Sequence, residues 1–451
     1  NGRIIVGGKG RKHPKEADVF LHIAMKVAKN CRYVEPQFTL RFDKDTSEEI
    51  WDEALDAFGA GATYPTLYND DVNVPAVMYG MRVDEKAAEQ YVPFGCTEFV
   101  IQGQSTGTPN ICINLLKLLT IYMNDGIDPI DGKRKSGPVP LKKLEEYQTF
   151  EEFYDGYKAL LDYYLDLSVK AQYHSYEVMN QHVSFLFTSL LTDDCIARGK
   201  ALLDGGVRYL GGTNETYGNI NTSDSLWVIR DLVFNQKKYT LRQLNDAMLA
   251  NFNGYEALRK DCLNCDKYGN DLETADTMAN DLYEFVAKGV RDRGIAIGMQ
   301  YFLIVISNNQ LNTEWGNRTA ASPDGRLSCM YMNPANNPQG GANKSGPTAM
   351  LNSLAKFDAK YHGGSVQNIK FSPSMFNENR AVIKSLFKTY FAKGGCHLMV
   401  TVVDKGVLED AVEHPENYPD LIVRVSGFSA VFVDLSPNIQ QELLSRVLYD
   451  E

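Results

Sequence analysis

The spacing of apolar positions changes along the chain, and each change predicts an element. Over residues 15–30, Ala17, Phe20, Leu21, Ile23, Ala24 and Val27 recur at close to helical spacing. Pro36 ends that region, and 38–42 reads as a short strand. Residues 47–58 return to helical spacing from Ser47 through Leu55 and Phe58. The stretch 59–73, rich in Gly, Tyr, Asn and Asp, reads as a loop, with a helix near 82–91 after it. Residues 109–124 form a strong helical pattern with Pro109 in the first turn. Most of 146–204 is helical, and its aromatics, among them Phe150, Phe153 and Tyr157, read as a core stripe. Residues 205–225, rich in Gly, Asn and Thr, read as a loop, followed by helices at 226–234, 240–252 and 272–310.

Near Thr319 the character changes. Residues 320–350 hold many Pro, Gly and Asn, which predicts a division into units 1–318 and 319–451. Helices follow at 346–356, 376–393 and 405–412, with strands at 397–403 and 421–425. Ser436 as N-cap and Pro437 at the first position open a last helix. No repeat of fixed period is present.

The chain has 451 residues, 44% of them hydrophobic, which excludes collagen-like, coiled-coil and wholly disordered readings. A net charge of −11 disfavours nucleic acid and anionic membrane as partners. No apolar run reaches the ~20 residues of a membrane helix. Eight scattered Cys, with no secretory signal, suggest reduced thiols and a cytoplasmic protein. Cys262 and Cys265 form a lone CxxC without a second pair, and the His residues show no metal-ligand spacing, so no metal is expected. Cys112 and Cys195 lie in helical patterns and read as core.

Two segments carry candidate chemistry. In Arg424-Val425-Ser426-Gly427-Phe428-Ser429-Ala430 a glycine interrupts an apolar run. By itself that is a bulge or tight bend. Gly95-Cys96-Thr97-Glu98 by itself is a turn with a buried thiol and a loop carboxylate. Together, in this order, and with Asp324-Gly325-Arg326, Ser345-Gly346-Pro347-Thr348-Ala349 and Asp434-Leu435-Ser436-Pro437, they resemble the glycyl radical enzymes over essentially the whole chain.

The resemblance implies an α/β fold, part of a ten-stranded barrel with surrounding helices and a C-terminal glycyl radical domain. It implies that Gly427 stores the unpaired electron, that Cys96 carries the thiyl radical, and that Glu98 acts as base. Arg424, Ser426, Phe428 and Ala430 would support the radical loop. Glu215, Tyr217 and Asn219, in the loop from Gly211 to Asn219, are candidate substrate contacts, with a surface turn as the other reading. No cofactor would be bound: a separate S-adenosylmethionine and iron–sulfur activating enzyme would install the radical, since this sequence has no CxxxCxxC cluster.

The pyruvate-cleaving acyltransferases of the family use two adjacent cysteines, and Cys96 has none beside it. The radical-addition members lack the Glu. The remaining branches are the eliminases (dehydratases and C–N or C–S lyases) and the arylacetate decarboxylases. An eliminase acting on a small polar substrate is the first expectation. A decarboxylase, a pyruvate formate-lyase-like acyltransferase and a non-catalytic radical-domain subunit are the alternatives. Thr97 and Phe99 depart from the common eliminase motif, so the motif names no substrate. The resemblance also implies a homodimer. Only 95 residues precede Cys96, which suggests the C-terminal half of a member, completed by residues outside this chain or by a partner.

Overall fold

A computed structural model of the chain describes residues 2–31, 33–107, 110–307 and 310–450. Their strands, in chain order, are β1 (Arg3–Gly7), β2 (Gln37–Phe42), β3 (Thr66–Asn69), β4 (Tyr91–Phe94), β5 (Glu98–Ile101), β6 (Ile111–Asn114) and β7 (Gly211–Tyr217), then β8 (Tyr301–Ile306), β9 (His362–Ser365), β10 (Asn368–Phe371), β11 (His397–Val402), β12 (Ile422–Arg424), β13 (Ser429–Val431) and β14 (Leu448–Tyr449). A six-stranded sheet has the order β1-β2-β3-β11-β10-β14, and a four-stranded sheet the order β6-β7-β8-β9. β1, β2 and β3 are mutually parallel, β11 runs antiparallel to β3, and β6 to β9 are parallel throughout.

One stretch of chain joins the two sheets. β9 pairs with β8, and after Val366 and Gln367 the chain continues as β10 against β11. Val366 N donates to the Ile306 carbonyl, and Met399 N donates to the Gln367 carbonyl, so the seam itself carries ladder bonds. Two antiparallel hairpins, β4–β5 and β12–β13, stand apart from this wall.

Strand alternation sorts side chains into two layers. Phe38, Leu40 and Phe42 of β2 join the main core. There they meet Leu21 and Met25 of the helix Pro14–Asn30, and Trp51 and Phe58 of the helix Glu48–Gly59. Gln37, Thr39 and Arg41 take the opposite face, where they bond Arg3, Thr66 and Asp70. Burying each large apolar side chain stabilises by about 1.5–3 kcal/mol, so the helix layer fixes the wall while its other face is left polar.

Several elements differ from the sequence expectation. The helix expected over 272–310 ends at Ala296, and Tyr301–Ile306 is a strand buried at every position. Its unbroken apolar run is what a parallel strand covered on both faces requires. The helix expected over 109–124 begins at Leu115, because Ile111–Asn114 is β6 and Asn114 caps the helix by accepting from Lys117 N at 2.9 Å. Pro109 lies outside the described residues. The loop expected at 59–73 contains β3 and the start of the helix Asp70–Met81, and the one at 205–225 contains β7 and most of the helix Asn219–Val228. β7 was hidden by residue types with weak strand preference. Its glycines are there for space: ring atoms of Tyr301 and Phe302 lie 2.2 and 2.6 Å from where a Cβ of Gly211 and Gly212 would sit. The helix near 82–91 shrinks to Glu85–Ala88. Ser436-Pro437 does open the helix Pro437–Ser445, although the Ser436 side chain makes no capping bond.

The β12–β13 hairpin and the helices Lys405–Glu413 and Pro437–Ser445 enclose a separate apolar cluster, including Leu408, Val423, Val425, Phe432, Ile439 and Leu443. A cavity of ≈ 40 Å³ lies at the joint with the wall, between Asn368, Lys370 and Thr401 on one side and Val423, Leu443 and Arg446 on the other. No described helix is long and apolar enough to cross a membrane.

Candidate active site

The β4–β5 hairpin pairs Phe94 with Glu98, which makes Gly95, Cys96 and Thr97 its turn. Gly95 has φ +54°, and a Cβ there would lie 2.8 Å from either Glu98 carboxylate oxygen. Glycine is therefore required twice, for the left-handed backbone and for the space. The Glu98 carboxylate folds back over its own turn and accepts from Thr97 N at 2.8 Å. The turn rests on the seam strand: the Thr97 carbonyl oxygen is 2.3 Å from the position of a Cβ on Gly364.

The β12–β13 hairpin pairs Arg424 with Ser429, so residues 425–428 form its tip. A Cβ on Gly427 would sit 2.2 Å from Cys96 Cα and 2.5 Å from both its Cβ and its Sγ. Nothing larger than hydrogen fits, and the hydrogen in that position faces Cys96, with the sulfur among its nearest neighbours. With a carbon–carbon bond of about 1.5 Å, Sγ stands within roughly 4 Å of Gly427 Cα. Arg424 is buried beneath the tip and donates to Met399 Sδ (3.3 Å), Gln37 Oε1 (3.3 Å) and Ser429 Oγ (3.4 Å). Burial lowers its guanidinium to about 10. Ser426 is buried, and the Phe428 carbonyl accepts from Val425 N at 3.1 Å and Ser426 N at 3.3 Å. Phe428 and Ala430 pack on the small apolar cluster.

The register of β6 against β7 sets Cys112 beside Glu215 and Asn114 beside Tyr217, on one face. Tyr217 Oη donates to Glu215 Oε2 at 2.5 Å, and Ser307 Oγ donates to the same oxygen at 3.1 Å. Asn110 links this group to the turn: its Nδ2 donates to Glu215 Oε1 at 2.7 Å and to Glu98 Oε1 at 3.3 Å. Thr213 Oγ1 donates to Asn110 Oδ1 at 2.6 Å, which fixes the amide with its nitrogen toward the acids. Glu98 and Glu215 thus share one amide.

Burial pushes the Glu98 carboxyl up to about 7; the Thr97 N–H opposes this and the Glu215 charge adds to it. Burial, with Glu98 and Glu215 adding, pushes the partly buried Cys96 thiol far above its usual range. The sulfur therefore keeps its hydrogen at neutral pH, the form that can donate a hydrogen atom. Burial and Glu215 also push Cys112 up to about 12 and raise Tyr217 strongly. The arrangement can pass a hydrogen atom between Gly427 Cα and Cys96 sulfur, and it can take up a proton at Glu98 near neutral pH.

Of the residues singled out in the sequence, Cys96, Glu98 and Gly427 come together, with Glu215 and Tyr217 close by. Asn219 does not join them: it bonds Asn333 (3.2 Å) and Asn336 (3.4 Å) at the foot of its helix. Asp324 and Arg326 are framework, with Arg326 donating to the carbonyls of Gly316 (2.9 Å), Ala320 (2.8 Å) and Met330 (2.5 Å). Cys112, read as helix core, lies on β6 beside Glu215. Asn110, Thr213, Ser307 and Arg3 were not singled out. Thr213 lies two residues before Glu215 on β7, so strand periodicity would have found it had β7 been recognised.

The pyruvate formate lyase-like family model matches residues 1–311, and the glycine radical model matches 332–433. Trans-4-hydroxy-L-proline dehydratase of Clostridioides difficile is 30% identical over 428 residues, covering 94% of this chain and 54% of that protein. (2S)-3-sulfopropanediol dehydratase of Klebsiella oxytoca is 27% identical, over 98% of this chain and 54% of the relative. The glycerol-bound form of the B12-independent glycerol dehydratase from Clostridium butyricum matches with a TM-score of 0.92 at 29% identity, covering 100% of this chain and 57% of that one. The chain spans about half the length of the curated relatives it matches.

Proposed function

We propose that this chain, which belongs to the pyruvate formate lyase-like family, carries the radical chemistry of a 1,2-eliminase acting on a small hydroxylated substrate. The observation behind this reading is the close packing of Gly427 against Cys96 and its sulfur, with Glu98 in the same turn.

The Gly427 radical takes the hydrogen atom of Cys96, leaving a C–H bond at Gly427 and a thiyl radical. The thiyl radical takes a hydrogen atom from a substrate carbon that bears a hydroxyl. Glu98 takes the hydroxyl proton, and the resulting ketyl expels the group on the adjacent carbon with its bonding pair. That group leaves as sulfite, or as water or amine on taking the proton that Glu98 has just received. The product radical takes back the hydrogen from Cys96, and the thiyl is quenched by Gly427. General-base help of this kind is worth ~10²–10⁴-fold. Glu215 and Tyr217 would hold the polar groups of the substrate.

The proposed partners are a radical-installing S-adenosylmethionine enzyme and a second copy of the protein in a homodimer. The proposed compartment is an oxygen-poor cytoplasm. The proposed units are 1–318, with the Cys turn, and 319–451, with the radical. The test is anaerobic activation followed by product analysis. A glycyl doublet in electron paramagnetic resonance, with aldehyde or ketone formed from a vicinal diol or hydroxylated amine, supports the reading. Carbon dioxide from an arylacetate, with no elimination, overturns it in favour of the decarboxylase.

A further inference from the structure

Arg3 lies at the start of β1, 424 residues from Gly427 in sequence, and its guanidinium reaches both halves of the site. Its Nη2 donates to the Gly95 carbonyl at 2.7 Å and to the Gly427 carbonyl at 3.3 Å. Its Nη1 donates to the Pro93 carbonyl at 3.2 Å. Gln37, paired with Arg3 across β1 and β2, accepts from Nη2 at 2.9 Å and from Arg424 Nη1 at 3.3 Å, so the amide also anchors the radical hairpin.

A second hold on the radical tip comes from the chain just before β14. Arg446, on the carboxyl side of the helix Pro437–Ser445, donates to the Val425 carbonyl at 2.7 Å and is itself held by Glu442. Arg446 lies two residues before β14, which pairs with β10 of the wall; on the hairpin itself Ser429 Oγ and Thr63 Oγ1 bond at 2.8 Å, and Arg424 bonds Gln37 and Met399. These bonds hold the hairpin to the wall, and none of them bonds the thiol turn or Gly427 itself. Arg3 is different: its Nη2, whose two N–H groups are shared among Gln37, Gly95 and Gly427, bonds both the carbonyl before Cys96 and that of Gly427 itself, while Nη1 holds Pro93. The guanidinium presents these donors in one plane.

We infer that Arg3 is a positioning residue that straps the radical tip to the thiol turn and so sets the Gly427–Cys96 hydrogen transfer. The inference rests on the radical reading above. Charge-assisted hydrogen bonds are about twice as strong as neutral ones, so loss of the strap leaves the two loops free to separate. The same bond lies on the carbonyl over which the unpaired electron of Gly427 spreads, placing positive charge at the oxygen that receives spin density.

The test has two arms, using Arg3→Gln and Arg3→Lys. In the first, activated protein is transferred anaerobically to D₂O. The Cys96 thiol exchanges with solvent, and each transfer to Gly427 delivers deuterium, so the α-hydrogen splitting of the doublet collapses at the rate of the Cys96–Gly427 transfer. Arg3→Gln should slow the collapse by tenfold or more at comparable spin count, and Arg3→Lys should fall between it and the wild type. A merely structural role would lower the spin count without changing the rate per spin. In the second arm, unactivated protein is treated with chymotrypsin and cleavage after Phe428 is read by mass spectrometry. Faster cleavage at that bond in Arg3→Gln is expected, and this arm stands even if the variant takes up no radical. Wild-type collapse rate or wild-type Phe428 cleavage in Arg3→Gln overturns the strap while the radical reading survives. A wild-type protein without a doublet overturns the radical reading itself and the strap with it.

Discussion

Replacing Glu215 with Gln removes one charge from the acid pair at nearly constant shape, and its effect on Glu98 can be worked out. Asn110 Nδ2 is 3.3 Å from one carboxylate and 2.7 Å from the other, so their nearest oxygens are at most about 6 Å apart. Two unit charges at that separation repel by about 3 kcal/mol at an effective dielectric constant near 20. Hydrogen bonds from Asn110 and Tyr217 spread part of that charge, which leaves a shift on the order of one to two pH units. The sign follows from the role. Glu98 must be ionised to accept a proton, so wild-type kcat/KM should rise with pH through about 7 and then level. In Glu215→Gln the like charge is gone, Glu98 ionises more readily, and the rising limb should move to lower pH. Asn110→Asp adds a negative charge between the two acids and should move the limb up. The assay is anaerobic kcat/KM against pH, normalised to the glycyl spin count. A limb that stays in place in Glu215→Gln, or that moves down in Asn110→Asp, would refute the coupling even if the plateau rate falls.

Gly427→Ala should take up no radical, because the new Cβ would fall 2.2 Å from Cys96 Cα and force the tip away; a full doublet in that variant would move the radical elsewhere. Cys96→Ser should keep the Gly427 doublet and lose turnover, since a hydroxyl yields its hydrogen atom far less readily than a thiol. Glu98→Gln should still bind substrate and lose roughly 10²–10⁴-fold in kcat; elimination at the wild-type rate would exclude proton removal by Glu98. Air should cut activated protein at Gly427, releasing a C-terminal piece that begins near Phe428, and spare unactivated protein; equal cleavage of both samples by mass spectrometry would mean ordinary proteolysis.

The candidate reactive residues were legible in the sequence through the family resemblance of two short motifs, each of which alone reads as a bulge or a turn with a buried thiol. Cys96 and Glu98 share one turn, and Gly427 stands out against an apolar run. What surrounds them was not, because tertiary structure assembles it from single polar residues. Asn110 is 12 positions from Glu98 and 105 from Glu215, and no local spacing connects the three. Arg3 meets Gly427 only through the ordering of strands in the sheet. Among the elements, amphipathic helices were found close to their bounds, as at Pro14–Asn30 and Glu48–Gly59. The misses fell on strands whose composition misleads. β7 is polar because its side chains line the site, and β8 is so uniformly apolar that it merged with the helix before it.

The folding of Glu98 back over Gly95 has a consequence for how such a protein changes its substrate. Thiol and base belong to one turn of the chain, locked by a hydrogen bond from the N–H of Thr97, the residue directly after the thiol, and by a glycine that leaves room for the carboxylate. The spacing between hydrogen-atom transfer and proton transfer is therefore inherited from local covalent geometry and does not depend on the rest of the wall. β7 and the residues facing it can be rewritten without changing that spacing, although Glu215 and Asn110 still set the pH at which Glu98 ionises. A library that varies Asn110, Thr213, Glu215, Tyr217 and Ser307 while keeping Gly95 to Glu98 fixed should redirect selectivity among hydroxylated compounds far more often than it destroys the radical step.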